Sequence, residues 1–140
     1  MPVHYQDALK QTRMNAVTAA VDSHATIDGY IEIGDGTPSP WAFGNRLVKI
    51  NLEDPSFAAA TTAGVINMNI TGPATSLDGV ATADGTARVA RICDGADVVR
   101  ISGLVVGTAI AANVEVALSA TAVSTGQTVS LTAGTITHAS

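Results

Sequence analysis

From Thr26 onward, apolar residues fall at every second position in short runs. Ile31 and Ile33 alternate with Tyr30 and Glu32; Val48, Ile50 and Leu52 alternate with Leu47, Lys49 and Asn51. Ile66, Met68 and Ile70 alternate with Val65, Asn67 and Asn69. Further on, Val114, Val116 and Leu118 alternate with Glu115, Ala117 and Ser119, and Val129 and Leu131 with Thr128, Ser130 and Thr132. A period of two sends successive side chains to opposite faces of an extended chain, so each run predicts a strand with one face in a core. Residues 86–93 and 97–102 predict a hairpin turning at Asp94-Gly95. Its register is left open, because two- and three-residue loops would set different faces. Residues 134–138 predict a last, separate short strand. Eight or so short strands without strand–helix alternation predict a mainly β chain: an antiparallel β-sandwich or barrel-like domain.

Before Thr26 the pattern is helical. Residues 4–21 predict one N-terminal α-helix, with Tyr5, Leu9, Ala16, Val17, Ala19 and Ala20 as its apolar surface. Gln6, Asp7, Lys10, Gln11, Arg13 and Asn15 crowd the other side. Asp7 falls in the first turn, where a carboxylate suits the helix dipole. The expected organisation is a single domain over residues 1–140, with a helical arm at 1–24 and a β domain at 25–140.

Five Asp-Gly pairs punctuate the chain, at Asp28, Asp35, Asp78, Asp84 and Asp94. Each reads as a turn signal, since Gly accepts positive φ freely and Asp tolerates it. The segment 37–46 carries Pro38, Pro40, Trp41 and Phe43 and predicts an irregular loop between strands. A second loop, 54–64, is rich in Ala and Thr.

Composition narrows the function classes. The chain has 140 residues, one domain's worth. It is 46% apolar but only 4% aromatic, so the core is expected to be aliphatic. Charged residues make up 14%, well under the roughly one quarter usual in soluble domains, and the net charge is −5. That balance argues against a sequence-independent nucleic-acid binder and against binding to an anionic membrane surface. No run is long and apolar enough to span a bilayer, and Asp7, Lys10 and Arg13 interrupt any signal-peptide core. A soluble protein made in a cytoplasm is expected.

The distribution of charge is more informative than its total. The stretch 55–77 contains no Asp, Glu, Lys or Arg, and Glu115 is the single charge after Arg100. A free monomer ordinarily decorates outward β faces with Lys and Glu, which block edge-to-edge pairing. Thr- and Ser-rich faces suit burial against a partner.

Chemistry-bearing residues are few. Cys93 is the lone cysteine and reads as a small hydrophobe on a strand. His4, His24 and His138 are far apart and in no ligand spacing. The five turn aspartates need no catalytic role, and no nucleophile elbow, phosphate loop or zinc motif is present. Asn69-Ile70-Thr71 fits a glycosylation acceptor, read as coincidence without a secretory signal. No catalytic residue, cofactor, metal site or small-molecule substrate is expected. Trp41 and Phe43 are candidate docking anchors, since aromatics dominate interface hot spots.

In order along the chain, several segments resemble a widespread group of small virion structural proteins of tailed bacteriophages. They are the helix pattern Leu9, Arg13 and Ala16; Ile31-Glu32-Ile33-Gly34-Asp35-Gly36-Thr37-Pro38; and Asn51-Leu52-Glu53-Asp54-Pro55-Ser56-Phe57. Ala83-Asp84-Gly85-Thr86-Ala87 follows, leading to Arg91-Ile92 and Asp94-Gly95, and then Thr125-Gly126-Gln127-Thr128-Val129-Ser130-Leu131-Thr132. The chain departs from that pattern at Val89 and Ala90, where an aromatic often precedes Arg91. The resemblance implies a non-enzymatic particle component on the virion exterior. The expected role is a head decoration or cement protein that binds the major capsid protein and copies of itself. A neck or tail component of the same particle is the alternative, and a host-surface carbohydrate-binding β domain a second. The expected contact residues are Tyr5, Leu9 and Arg13 on the helix, and Trp41 and Phe43 in the aromatic loop.

Overall fold

A computed structural model describes residues 3–70 and 77–138. The order along the chain is α1 (Asp7–Val21), β1 (Tyr30–Gly34), β2 (Arg46–Asn51), β3 (Val65–Asn67), β4 (Leu77–Val80) and β5 (Gly85–Thr86). There follow β6 (Val89–Cys93), β7 (Val99–Gly107), β8 (Val116–Leu118), β9 (Ala122–Val123) and β10 (Thr128–Thr137). The chain is mainly β with one N-terminal helix, as the periodicity predicts. Thr71 of the glycosylation-like triplet, and the whole run 71–76, lie outside the described residues.

One sheet runs in the order β2-β1-β6-β7-β8-β10-β3, with β4 also paired to β10 and a small β5–β9 pair beside it. The sheet curls back on itself. Thr82 N–H donates to the Leu47 carbonyl at 2.8 Å. Gly79 in β4 lies so close to the Lys49 carbonyl and the Val48 and Ile50 side chains that a methyl group there would collide. The alternating residues fill the interior: Ile31, Ile33, Val48, Ile50, Ile66, Ile92, Leu118, Val129 and Leu131 are all buried, together with Phe57. Each such side chain contributes roughly 1.5–3 kcal/mol through burial.

Four features differ from the sequence reading. First, the sheet is not wholly antiparallel, because β7 and β8 pair parallel. The pairing covers only Val106 with Val116 and Gly107 with Ala117, so the connection between them need backtrack only a short way and no long crossover is required. Second, residues 134–138 do not form a separate strand. They continue β10, whose residues pair with β4, then β8, then β3. Ala133 and Gly134 look like a break in sequence, but they give room for Met68, which packs on Gly134. Third, Val99 pairs with Cys93 around a loop closed by Asp94 N–H to the Val98 carbonyl at 3.0 Å, and the residue with positive φ is Asp97, at 64°. This is a type I turn with a bulge, and Asp97 occupies the left-handed position that Gly usually fills. No Gly of the five Asp-Gly pairs has positive φ. Gly29, Gly36, Gly79 and Gly95 are required instead by close backbone or side-chain neighbours.

Fourth, the helix packs on a different face. Met14 and Val21 are buried and Val17 packs beside them, whereas Leu9, Ala16 and Ala19 face outward. Residues expected on the solvent side fasten the helix to the 54–64 loop. Gln11 Nε2 donates to the Ala60 carbonyl at 3.3 Å, and Ala60 N–H donates to Asn15 Oδ1 at 2.9 Å. Ser56 N–H donates to the Asp22 carboxylate at 3.0 Å. The many alanines blur the apolar stripe, so tertiary contacts select the buried face.

Candidate functional site

The segment 35–45 joins β1 to β2. Residues 37–46 were expected to be irregular, but most of them belong to a hydrogen-bonded hairpin. Gly36 N–H donates to the Phe43 carbonyl at 3.0 Å, and Thr37 and Ala42 exchange backbone hydrogen bonds at 2.8 and 2.9 Å. Thr37 Oγ1 donates to the Pro40 carbonyl at 2.7 Å. At the base, the Asp35 carboxylate accepts Asn45 N–H at 2.7 Å. Gly36 is obligatory, because a Cβ there would occupy the space of the Ala42 and Phe43 carbonyls. Trp41 stands near the tip, 38% exposed. Phe43 folds back over Gly34, and the Arg91 guanidinium stacks on its ring 3.9 Å from the centroid.

That stacking belongs to a polar cluster that the sequence reading missed. On the face of β1 turned away from the core, Tyr30 and Glu32 lie between Lys49 of β2 and Arg91 and Cys93 of β6. Glu32 is buried and accepts from Arg91 Nε at 3.2 Å and Arg46 at 3.4 Å, with the Cys93 thiol 3.6 Å away. Lys49 Nζ sits 3.9 Å over the Tyr30 ring, and the Tyr30 hydroxyl donates to Asp97 at 2.8 Å. Three cations therefore roof a row of buried Tyr, Glu and Cys. Burial pushes the Cys93 thiol and the Tyr30 phenol above their ordinary values, so both stay protonated near neutrality. Neither is poised as a nucleophile or a base. The alternation Tyr30-x-Glu32 and Arg91-x-Cys93 was visible in sequence, but the pairing of β1 with β6 was not.

The five proposed contact residues separate into two groups. On the helix, the Arg13 guanidinium stacks 4.1 Å from the Tyr5 ring centre, and Tyr5 meets His138 edge to face at 5.4 Å. Leu9, between them in sequence, is 43% exposed. In the hairpin, Trp41 is presented to solvent while Phe43 is engaged with Arg91. Helix and hairpin pack on different elements: α1 on β3 and β7, the hairpin on β1 and β6.

Two of the turn aspartates act as backbone clamps. Asp94 accepts Val98 N–H at 3.0 Å, Ala96 N–H at 2.9 Å and Arg100 Nε at 2.7 Å. Asp84 accepts the Thr125 N–H at 2.6 Å and its hydroxyl at 2.9 Å. Both carboxyls are held below the usual carboxylate range, chiefly by the backbone donors of Val98 and Thr125 respectively. Among the described residues no group of three His, Cys, Asp or Glu side chains is placed to hold a metal ion.

The charge map has a clear polarity. Arg46, Lys49, Arg88, Arg91 and Arg100 lie on or beside β2, β6 and β7. Strands β3, β8, β9 and β10 carry no ionisable side chain at all. Glu115, just ahead of β8, turns its carboxylate onto Val105 N–H at 2.7 Å, capping the edge of β7 that faces away from β6. Beside that edge lies a cavity of about 320 Å³, walled by β7, the 110–115 segment and the end of β10.

Compared with family models, curated proteins and solved structures, the chain matches none.

Proposed function

We propose that this chain is a non-enzymatic structural subunit of a tailed-bacteriophage particle, most concretely a decoration or cement protein on the outside of the head. The observation that carries this reading is a β surface poor in ionised groups: β3, β8, β9 and β10 carry none, and Asp78 of β4, opposite Ser130, is the exception on the strands paired to β10. The outward positions of β10 are threonines and the only nearby carboxylate before β8 is spent on a backbone N–H. Such a face costs little to cover, because few charges must leave water. The ordered series of sequence segments that resembles small virion proteins supports the same reading, as does a polar cluster whose thiol and phenol are held protonated.

The mechanism is added buried area across seams of the shell. Each square ångström of apolar surface covered contributes about 25 cal/mol. Association costs of roughly 4–15 kcal/mol offset much of this, so the net gain per copy is modest. Repetition over equivalent sites makes it effective against internal pressure.

The test is denaturing-gel quantitation of purified particles, followed by heating of particles with and without this chain. Copies comparable in number to the major shell protein, and earlier DNA release without the chain, are expected. A small multiple of three or six copies would move the chain to the neck or tail. Unchanged DNA retention would remove the cement role.

A further inference from the structure

We infer that His24 is a proton-sensitive latch at the root of the helical arm. Segment 22–29 is the link between α1 and β1, and it turns back sharply. It leaves the helix at Asp22 and returns Gly29 to the helix's own end. A methyl group on Gly29 would collide with the Val21 side chain and press on the Cys93 carbonyl. Among the described residues, positions 23–28 make no backbone–backbone hydrogen bond. The bonds that hold this turn come from one side chain: His24 Nδ1 accepts Ile27 N–H at 3.1 Å and Thr26 N–H at 3.3 Å.

A ring nitrogen that accepts two N–H groups presents its lone pair to them, which fixes the neutral imidazole with its proton on Nε2. The imidazolium carries a proton on both nitrogens and has nothing left to accept with. Turning the ring over would offer the two N–H groups a carbon instead. One proton therefore removes both bonds at once. Histidine is the side chain that ordinarily gains its charge between about pH 8 and 5, so the bonds are present at the upper end of that interval and are lost as the solution becomes more acid.

The surroundings carry the change outward. The Asp94-Gly95 turn packs on the same segment, where a Cβ on Gly95 would meet the Ile27 carbonyl and the His24 Cβ. Asp22, two residues before the latch, holds Ser56 N–H at 3.0 Å. The charged groups on the elements packed here are Asp22 and Asp28 in the segment, Asp94, Asp97 and Arg100 on or beside the turn, and Glu53 and Asp54 ahead of Ser56. Asp94 is engaged by Ala96, Val98 and Arg100, and Asp97 by the Tyr30 hydroxyl. Carboxylates ordinarily stay ionised across the interval in which histidine titrates, so the latch is the group that changes. The joint is firm with the imidazole neutral and slack with it charged.

The experiment follows amide exchange with water by NMR on the full chain from about pH 8 to 5, corrected for the intrinsic pH dependence of exchange. The His24 ring carbons report its tautomer and charge in the same samples. Neutral His24 is expected with its proton on Nε2. As it charges, the protection of Thr26 and Ile27 N–H is expected to drop about three- to tenfold, the worth of one net hydrogen bond. Ser56 N–H, at the root of the helix, is expected to follow. His24→Asn keeps an acceptor oxygen at the same remove from the backbone as Nδ1 and cannot charge, so its protection should stay level over the same range. His24→Phe should lack that protection at every pH, while His4→Gln and His138→Gln should leave the response intact. Four results each overturn the inference: a neutral ring with its proton on Nδ1, Thr26 and Ile27 still protected once His24 is charged, Ser56 unmoved when they open, or a pH response that survives in His24→Asn. The latch goes beyond the particle role and does not rest on it, so either can fail alone.

Discussion

Glu32 falls on the polar side of the alternation in β1, yet it is enclosed with two arginines and a thiol. Arg91 serves twice there, donating to Glu32 and stacking on Phe43. Arg91→Ala is expected to cost about 1–3 kcal/mol in urea unfolding, because it leaves a buried carboxylate short of a donor. Arg88→Ala, at an exposed position, should stay within about 0.5 kcal/mol. The same cluster sets an alkaline limit. Cys93 and Tyr30 hold their protons more tightly folded than unfolded, so their contribution is full below the unfolded thiol value of about 8.5 and is lost as pH rises toward the folded values. Stability should fall above that pH, and Cys93→Ala with Tyr30→Phe should flatten the decline. Asp84 and Asp94 act in the opposite sense. Their contribution is full above the unfolded value of about 3.9 and is lost as pH drops through their lowered folded values. Asp94→Asn should therefore weaken the fold near neutrality and shrink the acid-side slope. Residue identity was legible as far as turns and strands. The glycines were misread, since Gly36 and Gly79 are needed for space and not for left-handed backbone, and spatial neighbours are not written in a local pattern.

At the scale of elements, period-two alternation located β1, β2, β3, β8 and the start of β10; β2 and β10 bury alternate residues, whereas every residue of β1 and β8 is buried. The helix shows where alternation and amphipathicity stop informing. Its alanine-rich sequence permits several faces, and the 54–64 loop chooses one through Gln11, Asn15 and Asp22. Met14→Ala should destabilise by about 2–5 kcal/mol in denaturant unfolding, the usual cost of emptying a core site. Leu9→Ala should change stability little, within about 0.5 kcal/mol. Residues 37–46 were taken for an irregular loop because prolines dominate the tip of the 35–45 hairpin, while the bonds that order it run between its two sides.

For the whole molecule, the uneven distribution of charge was legible from the first reading, and the structure shows what it means in space. Five of the seven Lys and Arg residues gather over β2, β6 and β7, Lys10 and Arg13 lie on α1, which packs on β3 and β7, and β10 itself carries none. The sheet order could not be read, because β1 finds β6 across some sixty intervening positions (Glu32 opposite Arg91) and no short motif encodes such a meeting. The cavity was hidden for the same reason: its walls come from β7, the 110–115 segment and β10.

β10 pairs with β3, β4 and β8, and it lies downstream of all three. A ribosome therefore delivers the organising strand after every strand it organises. Until it emerges, β3 and β4 lack this partner and β8 has only β7, and long-range pairing of this kind forms slowly. The fold depends on a strand made after its partners, and translation stalled before Thr128 would release a product prone to clump instead of a partly finished domain.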